Sequence, residues 1–524
     1  MKSIFYLLFI SMVQFTFVNG QSVASKNKNK QEVKTEYGFI KGTIESSGVY
    51  AFKGIPFAAP PTGELRWKEP QHVKSWKGIK NADEFGFKPM QLPLFSDMRF
   101  RSKSMSEDCL YLNVWSPSNY NSSKFPVLVY FYGGGFAAGD GSELRYDGEG
   151  MAKKGIVAVT VNYRLGIFGF FTHPELTKES LHKASGNYGL LDQSAALKWV
   201  KRNIAAFGGD PERVTIAGES AGSMSVSAQM ASSLARNLFS GAIGESGSML
   251  GITPMVSLPE AEQNGAKFMS VASVNTLAEL RKIPAGQLLD LVSQFKTFGF
   301  GPIVDGYFFS KSPREIYATG LQADVPLLAG WNSAEVNYTS LLGKEETTVE
   351  NYKNVVSKLY GEHAEEFLKL YPATNNEEVI RAATDLASDR FIAYSTWKWI
   401  DLHSKTNGKA VYRYLYTHLL PLKDSINKSG YRGAPHASEI EYAMGNLSSS
   451  KAYNWNADDY KVSEIMMSYF ANFIKTGNPN GDGLPKWFGL QSSIPKVMIL
   501  DLNAHSEPEK NAKRYALMDS FYYP

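Results

Sequence analysis

The sequence predicts an α/β fold in which helices cover both faces of a mostly parallel sheet. Short apolar runs at 127–132, 156–161 and 214–217 read as strands, and a helical pattern at 190–207 lies before the third of them. Each run is apolar on both faces, which is typical of a parallel strand buried between two helix layers. Alternation of strands and helices favours this architecture over an all-α or all-β fold.

The remaining elements follow from the same patterns. Further strands are predicted at 325–329 and 411–416, and a region at 37–67 rich in Gly, Pro and aromatic residues predicts short strands broken by prolines. Helical patterns predict a cap over the carboxyl edge of the sheet, at 349–371, 376–403 and 463–475. No repeat or low-complexity linker divides the chain, so 37–524 is predicted to be one domain with cap insertions.

Composition excludes several classes of protein. The chain has 524 residues, of which 43% are apolar, so it can bury a large core and is neither disordered nor fibrous. The net charge of +4 comes from 55 basic and 51 acidic residues without a long basic tract, which argues against nucleic acid as a partner. Oligomeric state is left open by the sequence.

The N-terminus has the pattern of a secretory signal peptide. Lys2 precedes an apolar run at 4–18, and the small residue Gly20 marks a cleavage site, so residues 1–20 are predicted to be removed. The alternative is a buried first helix. A polar, lysine-rich stretch at 21–36 predicts a flexible tether. No second apolar run is long enough to span a membrane, so a secreted or periplasmic protein without an integral span is predicted.

Cysteine and sequon usage add two expectations. Cys109 is the only cysteine, so no intrachain disulfide can form. Four asparagines lie in N-glycosylation sequons and would be modified only in a host that glycosylates exported proteins: Asn121, Asn337, Asn427 and Asn446.

The most informative motif is Gly-Glu-Ser-Ala-Gly at 218–222, directly after the β-rich run at 213–217. A strand, a sharp turn and a helix would expose Ser220 Oγ at the carboxyl end of the strand, where a nucleophile is required. The motif also occurs by chance in chains rich in Gly and Ser. The triple glycine at 133–135 strengthens it, because the bare amides of consecutive glycines, with that of Ala221, could bind an oxyanion. The triple glycine is not accompanied by GK[ST] or GxGxxG, the two patterns of phosphate-binding loops.

A serine nucleophile needs a base and an acid that orients it. Among eight histidines, His436 stands out because it lies in a loop pattern at 433–439, after the strand at 411–416 and near the end of the chain. Glu335 fits the acid because it follows the strand at 325–329. Asp305 is the alternative on chain order, although its Asp-Gly pair is typical of a turn.

From about residue 37 to the end, the chain resembles the type-B carboxylesterases. This branch of the α/β-hydrolase fold includes cholinesterases, bile-salt lipases and, closest in character, bacterial esterases of the para-nitrobenzyl type. The matching motifs are FKGIPFA at 52–58, LRW at 65–67, SEDCLYLNVW at 106–115, NYRL at 162–165, GNYGLLDQ at 186–193, FGGDP at 207–211 and TGNP at 476–479.

The resemblance implies a set of roles. The acid in this family is Glu, which favours Glu335 over Asp305. Glu219 and Ser246 match positions that support the triad, and Arg66 and Glu107 match a structural ion pair. The implied triad is Ser220, Glu335 and His436, and the implied oxyanion donors are Gly134, Gly135 and Ala221.

Two positions depart from the family pattern. Cys109 matches a half-cystine whose upstream partner is missing, so a buried free thiol is expected. Arg99 occupies the position of the choline-binding tryptophan of cholinesterases. An arginine repels a cation, which makes choline esters poor candidates. Phe298 and Phe300 are candidates for the acyl side of the pocket, although both also fit an ordinary core.

Together these features predict a secreted serine hydrolase that cleaves small-molecule carboxylic esters through an acyl-enzyme. No cofactor and no metal is expected, because the chain has no HExxH motif and no cysteine cluster. A lipase for longer acyl chains and a catalytically inactive binding protein are the alternatives. The complete set of candidate site residues argues against the second.

Overall fold

An eleven-stranded sheet runs through the computed structural model, which describes residues 31–120, 124–294, 299–422, 433–491 and 495–524. The strands are β1 Glu32–Thr35, β2 Gly38–Lys41, β3 Thr43–Ile44, β4 Tyr50–Pro56, β5 Ile79–Asn81, β6 Tyr111–Ser116, β7 Phe125–Phe131, β8 Val157–Val161, β9 Gly209–Glu219, β10 Gly241–Glu245, β11 Leu327–Asn332, β12 Val411–Tyr416, β13 Lys496–Leu500 and β14 His505–Pro508. The strand order in the large sheet is β14-β13-β12-β11-β10-β9-β7-β8-β6-β4-β3, and β1, β2 and β5 form a separate small sheet.

The helices lie between and after these strands. They are α1 Glu149–Lys153, α2 Gly166–Phe170, α3 Pro174–Glu179, α4 Tyr188–Asn203, α5 Ala221–Ala231, α6 Leu258–Val271, α7 Leu277–Lys282, α8 Ala285–Gln294, α9 Pro313–Ala318, α10 Thr339–Leu342, α11 Val349–Tyr360, α12 Ala364–Leu370, α13 Asn376–Ser388, α14 Tyr394–Thr406, α15 Ile440–Met444, α16 Ala457–Thr476 and α17 Ala512–Tyr522. A π-helical turn, Asp389–Ala393, joins α13 to α14.

The centre of the sheet is parallel, as the sequence predicts. β8, β7, β9, β10, β11, β12 and β13 are parallel neighbours, and the antiparallel pairs lie towards the two edges. Strands β7, β9, β10 and β11 are adjacent, so the loops that follow them meet at one edge of the sheet. The triple glycine follows β7, and Ser220 follows β9.

Two of the predicted cap helices cover the sheet instead. α14 packs against β11 and β12, and α16 packs against β7 and β9. Their buried residues include Trp399 and Phe473, which lie over the sheet face. Amphipathic helices of this length look alike in the sequence whether they cover a sheet or a pocket, so the pattern alone could not separate the two positions.

The N-terminal boundary also differs from the prediction. β1 pairs with β2 through Glu32 to Thr35, so the last part of the predicted tether 21–36 is a strand. The predicted signal peptide at 1–20, Asn121, Phe298 and Asn427 lie outside the described residues. The Asn446 Nδ2 atom donates to the carbonyl oxygens of Arg145 and Asp147, both at 2.9 Å.

Two ion pairs join segments that are distant in the sequence. Arg66 makes two bonds of 2.6 Å to the carboxylate of Glu107, and the buried Arg164 pairs with Asp192 at 2.7 Å. Paired guanidinium and carboxylate groups satisfy each other in a site that excludes water. In the part of the chain that the structure describes, no helix has the length and apolar character to cross a membrane.

The lone thiol is buried beside these pairs. Cys109 is 1% exposed, and burial raises its pKa well above the usual range. A thiol that is both inaccessible and protonated is a poor nucleophile.

We therefore predict that Cys109 stays unmodified by an aromatic disulfide reagent in the native protein and reacts fully after unfolding in guanidinium. The measurement is thiol titration, with Cys109→Ala as the blank. Removing one buried atom should cost about 1 kcal/mol of unfolding free energy. Rapid labelling of the native protein, or a dimer dissolved by reductant, would contradict this burial.

Candidate active site

Ser220 lies in a strained turn between β9 and α5. Its backbone has φ 56° and ψ −121°, a region that non-glycine residues rarely adopt, and its amide donates to the carbonyl oxygen of Glu245 at 2.8 Å. The flanking glycines make the turn possible, because a Cβ at Gly218 or Gly222 would lie 2.5 or 2.0 Å from the Phe131 oxygen. The turn therefore requires glycine on both sides of the serine.

An unbroken hydrogen-bonded chain leads from Ser220 into the interior. The Ser220 hydroxyl lies 2.9 Å from His436 Nε2, and His436 Nδ1 lies 2.6 Å from Glu335 Oε2. The side chain of His436 is 23% exposed, whereas that of Glu335 is fully buried. A proton on Nδ1 leaves Nε2 free to accept the proton of the serine.

Glu335 is held by donors from three parts of the chain. Its Oε1 atom accepts the amide of Asn332 at 2.7 Å and the hydroxyl of Ser246 at 2.6 Å, and its Oε2 atom accepts from His436. The main chains of the two residues are also hydrogen-bonded, because the amide of His436 donates to the carbonyl oxygen of Glu335 at 3.2 Å. These contacts fix both the carboxylate and the imidazole in one orientation.

Glu219 is a second carboxyl group beside the imidazole. Its Oε1 atom lies 3.2 Å from His436 Nε2. Burial lowers the pKa of His436, but the charge of Glu219, and then the hydrogen bond and charge of Glu335, outweigh it and raise that pKa to about 10. Burial in turn raises the pKa of Glu219 to about 8, against the attraction of His436. The two groups therefore compete for one proton.

The triple glycine lies against the serine turn. A Cβ at Gly133 would lie 2.7 Å from the Glu219 carbonyl oxygen and 3.1 Å from the Ser220 Cβ. Gly134 and Gly135 have φ of 109° and 63°, and neither amide donates to another described residue. The Ala221 amide opens α5 and has no partner within that helix. Three amides are thus free for a ligand at this edge of the sheet.

A cavity of about 540 Å³ opens beside His436. Its wall carries charged groups of both signs, and Asp97 pairs with Arg145 at 3.2 Å. The exposed Arg99 donates to the main-chain oxygens of Ser96 and Met98 rather than to a carboxylate. The cavity is therefore polar on one side of the imidazole, whereas the Phe391 ring meets His436 edge-on at 5.1 Å.

Other predicted residues lie elsewhere. Asp305 accepts the amides of Tyr307 and Phe309 in a turn, as its sequence context indicates. Phe300 packs against Phe171 and Phe268 and lines a cavity of about 120 Å³ whose wall contains neither Ser220 nor His436. The acyl-side role of Phe300 therefore stays a prediction.

The sequence analysis missed several buried polar residues behind the triad. Glu439 is fully buried, lies within 3.4 Å of the Ser246 hydroxyl and accepts from Asn332 Nδ2 at 2.5 Å. Glu245 is 1% exposed and accepts from the Tyr130 hydroxyl at 3.3 Å. The sequence features that could have pointed to these two residues are their positions: Glu439 follows His436 by three residues, and Glu245 directly precedes Ser246. Within the described ranges no group of three or more His, Cys, Asp or Glu side chains could hold a metal ion.

Comparisons with known proteins agree on one family. The profile of the Carboxylesterase family matches residues 29–518. Fumonisin B1 esterase of Sphingopyxis macrogoltabida is 34% identical over 91% of this chain and 88% of its own length. Para-nitrobenzyl esterase of Bacillus subtilis is 35% identical over 94% of this chain and 99% of its own length. Acetylcholinesterase of Bungarus fasciatus is 31% identical over 94% and 86%.

A solved structure gives the same answer for the fold. The crystal structure of a Geobacillus stearothermophilus carboxylesterase superposes with a TM-score of 0.80 at 30% identity and covers 93% of this chain and 99% of that one. It has the α/β-hydrolase fold that the sequence predicts. The chain therefore belongs to the carboxylesterase family and is a carboxylic ester hydrolase of the serine type.

Proposed function

We propose that the protein hydrolyses small and medium carboxylic esters through a covalent acyl-enzyme on Ser220, with His436 as the base and Glu335 as the acid of the triad. The observation that carries the proposal is the chain of contacts from the Ser220 hydroxyl through His436 to Glu335, at 2.9 and 2.6 Å. Nucleophile, base and orienting acid within hydrogen-bond reach are the geometric signature of acyl transfer by serine.

In the acylation step, His436 Nε2 takes the Ser220 proton while Oγ attacks the ester carbonyl carbon. The carbonyl electron pair moves onto oxygen, which the amides of Gly134, Gly135 and Ala221 bind. The carbonyl reforms as the alkoxide leaves, and the alkoxide takes the proton from His436. Glu335 stabilises the imidazolium in between and keeps its proton on Nδ1.

In the deacylation step, water takes the place of the alcohol. His436 removes a proton from the water, the hydroxide adds to the acyl carbonyl, and the same three amides bind the oxyanion. Collapse returns the proton from His436 to Ser220 Oγ and releases the carboxylic acid. The enzyme ends in its starting state, and the net reaction consumes one ester and one water.

The exposed Arg99 on the wall of the cavity beside His436 favours small neutral alcohols over choline. Its guanidinium donates to main-chain oxygens and pairs with no carboxylate among the described residues, so its positive charge repels a quaternary ammonium group. Arg145 on the same wall is neutralised by Asp97 and Glu143. Fumonisin B1 esterase and para-nitrobenzyl esterase are named for ester substrates without a choline group, which agrees with this choice. We also propose export, supported by the basic, apolar and small-residue order of residues 1–20.

We predict that Ser220→Ala lowers kcat/KM for para-nitrophenyl esters by about 10⁴-fold or more, because attack and proton transfer both need the hydroxyl. The measurement compares acyl chains from acetate to palmitate and includes acetylthiocholine. Wild-type turnover should peak at short or medium chains and be weakest for acetylthiocholine. A peak at palmitate would instead indicate a lipase.

Ser225→Ala is the matched control, because Ser225 lies on the same helix but bonds Ala221 and Gln193 rather than His436. It should retain activity within about tenfold, since it loses only neutral hydrogen bonds. Near-wild-type turnover by folded Ser220→Ala would refute the serine mechanism. Absence of any turnover by folded wild type would favour the inactive binding protein.

A second prediction concerns pH. Since the charge of Glu219 raises the pKa of His436, Glu219→Gln should lower that pKa and shift the acid limb of kcat/KM towards lower pH by about one unit. His436 acts as a base only when unprotonated, so the variant should keep relatively more of its maximal activity in acid. The measurement is the pH profile on one ester, and an unchanged acid limb would contradict the role of Glu219.

A further inference from the structure

Two buried carboxyl groups lie side by side on neighbouring strands behind His436. β9 and β10 are parallel, and Glu219 and Glu245 are register partners at their carboxyl ends. Register partners on adjacent strands point to the same face with about 5 Å between them. The two side chains are only 4% and 1% exposed, so water does not separate their charges.

The side chain of Glu245 has one weak partner. Its Oε1 atom accepts from the Tyr130 hydroxyl at 3.3 Å, and its Oε2 atom is buried without a hydrogen-bond partner among the described residues. No Lys, Arg or His side chain in those same ranges pairs with it. An ionised carboxylate with so little support in a dry interior is costly, whereas a neutral carboxylic acid is not.

Every titratable group that faces Glu245 from a neighbouring element is itself an acid. Glu219 approaches from β9, Tyr130 from β7, Tyr414 from β12 and Glu439 from the segment before α15. Like charges at this distance cannot all ionise. His436, the nearest base, contacts Glu219 and not Glu245. A proton on Glu245 therefore removes the repulsion at a carboxyl that pairs with no cation among the described residues.

We propose that Glu245 is a neutral carboxylic acid across the working pH range, which leaves Glu219 as the member of the strand pair that ionises beside His436. Burial, and then the charges of Glu439 and Glu219, raise the pKa of Glu245 well above its ordinary value, in agreement with this assignment. The bearing on catalysis rests on the proposed function, since a neutral Glu245 leaves Glu219 as the charge of this pair beside His436.

The test is the pH profile of kcat/KM for Glu245→Gln beside that of Glu219→Gln. A carboxamide has the shape of the protonated acid and removes no charge, so Glu245→Gln should keep the acid limb within about 0.3 pH unit of wild type. Glu219→Gln is the matched control that removes a charge and shifts the limb. A shift of about one unit in Glu245→Gln would show that Glu245 is ionised and would overturn the proposal.

A measurement on the wild type keeps the proposal testable if Glu245→Gln does not fold. Burial also raises the pKa of other carboxyl groups, among them Asp140, Glu143, Asp192 and Asp305, so the band of Glu245 is assigned by difference from Glu245→Met, an apolar variant of similar size. Infrared spectra of the wild type in heavy water at about pH 9 should show the carbonyl stretch of a protonated carboxyl that the spectra of Glu245→Met lack. Absence of that difference band would refute the neutral Glu245, whether or not the esters are hydrolysed. Failure of the proposed function would appear separately, as a folded wild type without ester turnover.

Discussion

The site depends on one fully buried carboxylate, that of Glu335. A charge in a water-free interior must be paired and hydrogen-bonded, and Glu335 receives donors from Asn332, Ser246 and His436. These donors come from the end of β11, the end of β10 and the loop before α15. The same contacts that satisfy the charge therefore hold three loops together. Orientation of the imidazole towards Ser220 follows from that arrangement.

Backbone strain surrounds this carboxylate. Ser220, Ser246 and Ala437 have φ of 56°, 52° and 64°, although none of them is glycine. Such conformations cost about 1–3 kcal/mol each and persist only where neighbouring structure determines them. Here the parallel strands β9 and β10 and the buried Glu335 provide that constraint. The strained residues are Ser220 itself, the residue after His436 and the serine that donates to Glu335.

The sequence predicts the centre of the fold and the main residues of the site. Parallel strands buried on both faces have continuous apolar runs in the sequence, which is why β7, β8 and β9 can be predicted. The turn at Ser220 can be predicted because a strained turn requires glycines at fixed positions. His436 and Glu335 follow from chain order and from the family resemblance. The contact of His436 with Ser220 and that of Glu335 with His436 are consistent with that interpretation.

The contacts that the sequence does not predict are those set by strand register and by packing between distant elements. Glu245 and Glu219 become neighbours only because β9 and β10 pair in one register, which no local pattern specifies. The acyl-side role of Phe300 stays a prediction, because an aromatic residue near a proline has the same sequence pattern in a pocket wall as in a packed cluster. The same limit applies to helices α14 and α16, since amphipathicity shows that a face is buried but not what covers it.

Labelling with diethyl para-nitrophenyl phosphate shows whether Ser220 is the residue that carries the acyl group. This reagent transfers its diethylphosphoryl group to an activated serine and releases para-nitrophenol. We expect one equivalent of para-nitrophenol per chain, loss of ester hydrolysis in proportion, and a mass increase confined to the peptide that contains Ser220. Full ester hydrolysis by a protein without that adduct, or an adduct on another residue that accounts for the lost activity, would contradict that role of Ser220.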